Sequence, residues 1–380
     1  MRIFYLSRAF PPESTSGGAL IRSHTVELLR RAGFEVTVVT PTRSSERVGQ
    51  SEGVLRIPLS YALKPAAVFE RLGIYEDYLD PWVRVALQVL MPRLSRGDVA
   101  FATSGGELGM IRLASLLKRA TGCFSVVNFH DPLDYSLVFG KRIDSKFHVG
   151  RERQEAAYVG NADLVITTSQ TNMLSLKAKY PAMAERIVNN YFGYMEEATL
   201  LPRIASPDLR IAYGGCFSEL QAPELLAQAA ADLPGARLSF IGGGADYQPL
   251  RPYADRVSIV PFTPHDEFMQ MLLTEVDVGF VSLASDYLGA CVPSKIYEYV
   301  NLGLPILGAL PAGDAFDLVN EKGWGIVVRY DDIEGLREAV VRMKDASVRE
   351  TFSAAILRDR PSWSMESRIG EVVEWLNALA

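Results

Sequence analysis

Apolar residues recur along this chain in two rhythms. Short runs in which nearly every residue is apolar or β-branched alternate with longer stretches spaced at three and four. The first kind reads as buried strands, the second as helices that pack on them. Residues 3–6 form the first short run, and a loop rich in Pro, Ser and Gly follows at 11–18. Residues 19–32 have helical spacing, with Leu20, Val26, Leu28 and Leu29 near one stripe, and Gly33 stands where a helix C-terminal glycine belongs. The β-branched run 36–40 is a second buried strand. Strand, helix and strand make a βαβ unit, whose crossover is expected to be right-handed.

The alternation continues with strands predicted at 98–103, 124–129 and 163–168, and helices at 106–119 and 170–179. Ile187 and Val188 lead into an irregular stretch that reaches Asp208 and contains Pro202 and Pro207. A domain boundary is expected there. From Leu209 the pattern restarts: strands at 211–213, 238–241, 257–260, 276–281, 305–308 and 326–328, helices at 223–231, 266–273, 294–302 and 333–343, and a terminal amphipathic helix at 363–379. The expectation is an α/β protein of two doubly wound, Rossmann-like domains, 1–195 and 205–362, facing across a cleft. Such sheets bind ligands beyond the carboxyl ends of their strands, which makes the cleft the expected site.

Composition narrows the classes. A length of 380 residues suits two domains, and 48% hydrophobic with 22% charged residues excludes disorder for the bulk of the chain. A net charge of -6 disfavours a nucleic-acid partner, which demands a basic surface. Cys123, Cys216 and Cys291 are too few and too widely spaced for a disulfide framework or a zinc site. No apolar run reaches the roughly 18 residues of a spanning helix. The opening residues read as a strand and not as a signal peptide. A reducing, cytoplasmic setting is expected, with any membrane contact made from the side.

Three segments carry candidate chemistry. Ser14-Thr15-Ser16-Gly17-Gly18 lies between the first strand and first helix, where glycines and a helix N-terminus let backbone N–H groups approach a phosphate or sugar. It is neither a GxGxxG nor a Walker A loop, and a tight βα turn explains it equally well. His130, followed by Asp131 and Pro132, ends an apolar strand and points to the ligand rim, where it can hydrogen-bond a hydroxyl; a turn-stabilising His-Asp pair is the alternative. Pro293-Ser294-Lys295-Ile296-Tyr297-Glu298-Tyr299 opens a helix, with Ser294 at or near the N-cap. Lys295 in the first turn opposes the helix dipole, which a bound anion would offset. Glu298 shares its face three residues on. Lys295 for a diphosphate and Glu298 for ribose hydroxyls make a nucleotide-sugar constellation; a local Lys-Glu surface pair is the plainer reading.

In order and spacing these segments resemble retaining glycosyltransferases of family 4, which have the GT-B fold. The resemblance rests on residues 4–13 with Gly17 and Gly18, His130-Asp131-Pro132, Ile187-Val188-Asn189-Asn190, the Pro293-Ser294-Lys295 helix running on to Gly303-Leu304-Pro305, and Ser362-Trp363 before the last helix. It is nearest to the subset with Pro-Ser-Lys. It implies that Gly17 and Gly18 approach the donor's diphosphate and sugar, that His130 contacts the transferred sugar, that Ser294 and Lys295 hold the diphosphate, that Glu298 binds the ribose and that the backbone around Phe262 meets the base. Gly215 and Gly243, after two strands of the second domain, join the donor-binding set. It further implies that the final helix, 364–380, returns to the N-terminal domain.

The sequence departs from the family at three positions. Ala290 stands where the first Glu of the family's Glu-seven-residues-Glu motif belongs, and Cys216 and Gln221 stand where many members carry Arg and Lys. A catalytically silent nucleotide-sugar-binding subunit is therefore the second hypothesis. No Asp-x-Asp motif offers a metal site, so the expected chemistry is metal-independent transfer from a UDP- or GDP-sugar, with His130 and Lys295 as the catalytic residues. The expected acceptor is a glycan or polyprenyl-linked sugar of bacterial surface polysaccharide synthesis, bound to the N-terminal domain. Tyr61, Phe69, Tyr75, Tyr78, Trp82 and Val89, with the basic residues Lys141, Arg142, Lys146, Arg151 and Arg153, are read as facing that acceptor and the inner face of the plasma membrane; a core helix plus a solvated charged face is the alternative.

Overall fold

The computed structural model describes residues 1–14, 16–43, 48–133, 146–242 and 247–379. The chain divides into two compact units, one of residues 1–191 with 368–380, the other of residues 192–367.

In unit 1 the order is β1 (Arg2–Leu6), α1 (Gly17–Arg31), β2 (Glu35–Thr42), β3 (Gly49–Ser51), β4 (Val54–Pro58), α2 (Leu63–Arg71), α3 (Asp80–Leu90), β5 (Val99–Gly105), α4 (Gly109–Thr121), β6 (Phe124–Asp131), α5 (Lys146–Val159), β7 (Leu164–Thr167), α6 (Gln170–Lys179) and β8 (Ile187–Asn189). Among the described residues these strands form one eight-stranded sheet, ordered β3-β4-β2-β1-β5-β6-β7-β8. Every pair is parallel except β3 with β4. Strands buried on both faces explain the unbroken apolar runs of the sequence. Alternate residues of β1 feed two cores: Phe4 and Leu6 pack with Trp82, Val83 and Leu113, whereas Ile3 and Tyr5 pack with Val26, Phe101, Val372 and Leu376.

In unit 2 the order is β9 (Leu209–Gly214), α7 (Glu224–Ala230), β10 (Ala236–Ile241), β11 (Ser258–Val260), α8 (His265–Glu275), β12 (Val278–Ser282), α9 (Ser294–Asn301), β13 (Ile306–Leu310), α10 (Asp314–Lys322), β14 (Gly325–Arg329), α11 (Ile333–Met343) and α12 (Ala346–Asp359). A final helix, α13 (Met365–Asn377), starts in unit 2 and ends in unit 1. The described strands of unit 2 form a six-stranded sheet, β11-β10-β9-β12-β13-β14, parallel throughout.

Both sheets are doubly wound. In unit 1 the strand order reverses between β1 and β5, and in unit 2 between β9 and β12. The carboxyl ends at these reversals are where open α/β sheets leave a crevice for ligands.

One reading of the sequence is corrected. Trp82 lies in α3, is buried in the core and donates its indole N–H to the carbonyl of Ile57 at 3.0 Å, so it faces no acceptor. Ser294, read as at or near the N-cap, is the first residue of α9, beside Pro293, which holds the N-cap position and supplies no side-chain hydrogen bond. Proline at that place fixes the backbone but has no oxygen to offer the first turn. Of the predicted basic cluster, Lys141 and Arg142 lie outside the described residues.

Candidate functional site

At the unit 2 reversal, β9 ends in Gly214 and Gly215. The Gly215 backbone takes φ +125°, a conformation that excludes side chains, and its N–H donates to Ile241 at 2.9 Å. The next loop touches it: a methyl on Gly242, at φ +147°, would lie 2.1 Å from the Gly215 carbonyl oxygen. The loops after β9 and β10 thus come together only because both positions are glycine. Gly243, expected to bind the donor, lies outside the described residues. Phe262 follows the edge strand β11 and is 81% exposed, leaving its ring and backbone open to a ligand.

Lys295 reaches this rim from the first turn of α9. Its ammonium sits 3.9 Å from the centroid of the Tyr213 ring, and a methyl on Gly215 would lie 3.6 Å from its Nζ. No carboxylate pairs with it among the described residues. Desolvation lowers its pKa to about 7, partly countered by the thiols of Cys216 and Cys291. The cation is held by a ring face and little else. Tyr213 itself is fixed by its hydroxyl, which is within hydrogen-bonding distance of the Cys216 carbonyl and the Gln221 side-chain oxygen. Gln221, read from the sequence as a lost cation, is therefore the anchor of the ring that carries Lys295. Ser294 is exposed at the start of α9, and Glu298, one turn after Lys295, is partly buried.

At the unit 1 reversal, α1 starts at Gly17, capped by Ser16 Oγ accepting from Ala19 N. A methyl on Gly17 would meet nothing within 4 Å, and one on Gly18 would lie 3.7 Å from Arg22 Nη1. Arg22 is buried one turn along α1, and its Nε meets no acceptor among the described residues. Its other terminal nitrogen turns to Gly105, where a methyl would lie 3.3 Å from Arg22 Nη2 and 3.6 Å from oxygens of both Asp131 and Glu107. Glu107 accepts from the Gly105 N–H at 2.9 Å, and Arg8 stands 3.7 Å from its other oxygen. Burial, then the Glu107 charge, raises the Asp131 pKa to about 6, against the lowering effect of Arg22 and Arg8. Burial, then Arg22, pushes His130 well below its ordinary value, so its imidazole is neutral at pH 7. The rim therefore gathers glycine backbone, a neutral imidazole, two guanidinium groups and two carboxylates, one of them titrating near neutrality. Such groups suit the hydroxyls of a sugar.

The sequence brought Gly17, Gly18 and His130 to notice in unit 1, and Gly215, Ser294, Lys295 and Glu298 in unit 2. The structure puts each set at its own unit's strand reversal. Sequence reasoning missed Arg22, Glu107 and Tyr213. The signal for Arg22 was its place four residues after Gly18, on the same helix face as the glycine loop.

Two doubly wound units in tandem, each with glycine backbone at its strand reversal, have the GT-B architecture of glycosyltransferases. Residues 16–191 match the family model of the glycosyl transferase 4-like domain. Solved structures agree in fold. HepE of Anabaena, in complex with UDP and glucose, has a TM-score of 0.69 at 15% identity, covering 100% of both chains. The α,α-trehalose 6-phosphate synthase of Burkholderia multivorans has a TM-score of 0.70 at 12% identity over 100% of this chain and 96% of its own. The lipopolysaccharide outer core galactosyltransferase WaaB, in its apo form, has a TM-score of 0.67 at 12% identity over 99% of each chain. The comparison with curated proteins gives no match.

Proposed function

We propose that the protein is a retaining glycosyltransferase that moves a sugar from a nucleoside-diphosphate sugar to a glycan or lipid-linked acceptor in the synthesis of a bacterial surface polysaccharide. The observation that carries this reading is Lys295: a desolvated ammonium beside backbone of the β9 loop, on the first turn of a helix without a side-chain cap, with no carboxylate among the described residues to neutralise it. A diphosphate supplies the missing charge, and backbone N–H groups at the start of α9 add donors for it. Glu298 takes the ribose hydroxyls, and the backbone at Gly215 and Phe262 approaches the rest of the nucleotide. Gly17, Gly18 and His130 receive the sugar.

In transfer, the bond from the anomeric carbon to the diphosphate oxygen breaks and a bond to the acceptor oxygen forms on the same face. The acceptor's proton passes to the departing diphosphate. Lys295 and the N–H groups of α9 stabilise the charge that grows there, so no metal ion is needed. Neutral His130 orients the sugar by a hydrogen bond.

The test is donor turnover by the purified chain, starting with UDP-sugars and then GDP-sugars, in EDTA. His130→Ala is expected to lower transfer or donor hydrolysis by about tenfold or more while nucleoside diphosphate affinity stays within about twofold. Equal loss of both would remove His130 from the sugar. Tight diphosphate binding without turnover of any donor would instead favour the silent-subunit reading that Ala290 and Cys216 suggest.

A further inference from the structure

Arg22 of α1 is only 4% exposed, a costly place for a guanidinium unless something uses its charge. Its Nε meets no acceptor among the described residues. Its two terminal nitrogens reach two different loops: methyls built on Gly18 and Gly105 would lie 3.7 Å from Nη1 and 3.3 Å from Nη2. The Gly105 backbone is not in the left-handed region, so the guanidinium, and not a turn, is what a side chain there would disturb.

The groups that face this guanidinium come from several elements. The loop after β5 brings Glu107, which accepts from the Gly105 N–H at 2.9 Å, and the end of β6 brings Asp131; the point that a Gly105 methyl would occupy is 3.6 Å from an oxygen of each. The loop after β1 brings Arg8, 3.7 Å from the other Glu107 oxygen. β1 itself brings Tyr5, whose hydroxyl is kept protonated by burial. His130 precedes Asp131 at the end of β6; burial first, and the positive charge of Arg22 second, keep its imidazole neutral. Arg22 thus spans the glycine loop that opens α1, the loop after β5 and the end of β6, the segments that carry the groups proposed for the sugar.

We infer that Arg22 is a positioning residue of the sugar site: its guanidinium braces the Gly17–Gly18 loop against Gly105 and supplies the positive charge that faces His130 and Asp131. The inference rests on the proposed transfer for its kinetic readout, and on no substrate for its spectroscopic one. The full chain labelled with carbon-13 histidine has four imidazoles to follow, and His130→Ala identifies the signal of His130. Without ligand, that signal is expected to show no protonation down to about pH 5.5, and in Arg22→Gln its midpoint is expected to rise by at least about half a pH unit. Arg22→Gln is also expected to lower donor turnover by at least about tenfold while nucleoside diphosphate affinity stays within about twofold. Because the two residues act as a unit, the double variant with His130→Ala is expected to stay within about threefold of His130→Ala alone. Arg22→Lys keeps the charge but has one terminal nitrogen for two loops, so it is expected to leave the His130 midpoint in place and still lose at least about threefold in turnover. An unmoved His130 midpoint in folded Arg22→Gln, losses that multiply in the double variant, or full turnover by Arg22→Lys would each overturn the inference. If Arg22→Gln does not fold, Arg22→Lys decides. If the unaltered chain turns over no donor, the proposed transfer fails, and the His130 midpoints still decide whether Arg22 sets the charge at that site.

Discussion

Burial makes the charged form of Asp131 unfavourable in its place. Its carboxyl is surrounded by Gly105, Glu107 and the strand ends of unit 1, and it titrates near 6 where a free aspartic acid titrates near 3.8. A raised folded-state value means that the native chain holds a proton the unfolded chain has lost. Stability therefore falls as pH rises from about 4 to about 6, and the loss is complete above that window. Asp131→Asn removes the buried charge at nearly constant shape. It is expected to raise stability by about 1–2 kcal/mol at pH 7 and to leave it almost unchanged at pH 4, read by thermal melts at the two values. A destabilised variant at pH 7 would mean that Arg22 and Arg8 need that charge more than its burial costs. None of this was visible in the sequence, where Asp131 read only as part of a His-Asp-Pro turn. Tyr213 was hidden for the same reason: it looked like the end of a strand, and only the fold turns its ring under Lys295.

At the scale of elements, legibility followed burial. The β-branched runs that became β2, β6 and β12 were read from the sequence because parallel strands covered on both faces must be apolar along their whole length. The segments that escaped include β3, β4, α2, α5, α10 and α12. α12 buries only Ile356, so no stripe marks it, and α2 leaves much of its apolar surface exposed. The start of α9 was placed to within a residue of its cap, since Pro and Ser both belong at helix starts. The glycine loops of unit 2 make the strongest demand on particular residues. Gly242→Ala places a methyl against the Gly215 carbonyl at a backbone angle that side chains avoid, and is expected to cost at least about 2 kcal/mol and to weaken nucleoside diphosphate binding in protein that is still folded. Gly17→Ala, whose methyl faces open space, is expected to leave the melting temperature within about 2 °C. A thermal melt of both variants checks the contrast, and equal effects would contradict it.

For the molecule as a whole, the notable feature is that the end of the chain completes the core of its beginning. Val372 and Leu376 of α13 are buried with Val26 of α1 against the face of the sheet that carries Ile3 and Tyr5, and Asn190 donates to the carbonyl of Arg368 at 3.0 Å. Leu376→Ala is expected to cost about 3 kcal/mol and to lower hydrogen-exchange protection in β1 and β2 while sparing β9 to β13. Protection lost in unit 2 instead would show that the helix supports the other core. No helix among the described residues is long and apolar enough to cross a membrane. The restart of the strand-helix alternation near residue 209 was plain in the sequence, because each unit needs its own apolar strands. The candidate binding residues were legible only as far as the glycines and His130 mark strand ends and Lys295 a helix start.

The central claim is that Lys295 awaits a diphosphate. An ammonium with a pKa of about 7 regains its ordinary basicity beside an anion, so binding must draw in a proton once the free protein has lost it. Calorimetry of UDP and GDP binding from about pH 6.5 to 9, in buffers of different ionisation enthalpy, measures this directly. Affinity for at least one of them is expected to fall as pH rises above 7, by as much as about tenfold per unit, with proton uptake growing towards one, and Lys295→Ala is expected to bind weakly with no such dependence. Affinity that stays level across that range without proton uptake, or a Lys295→Ala variant that binds as tightly as the unaltered chain, would contradict it.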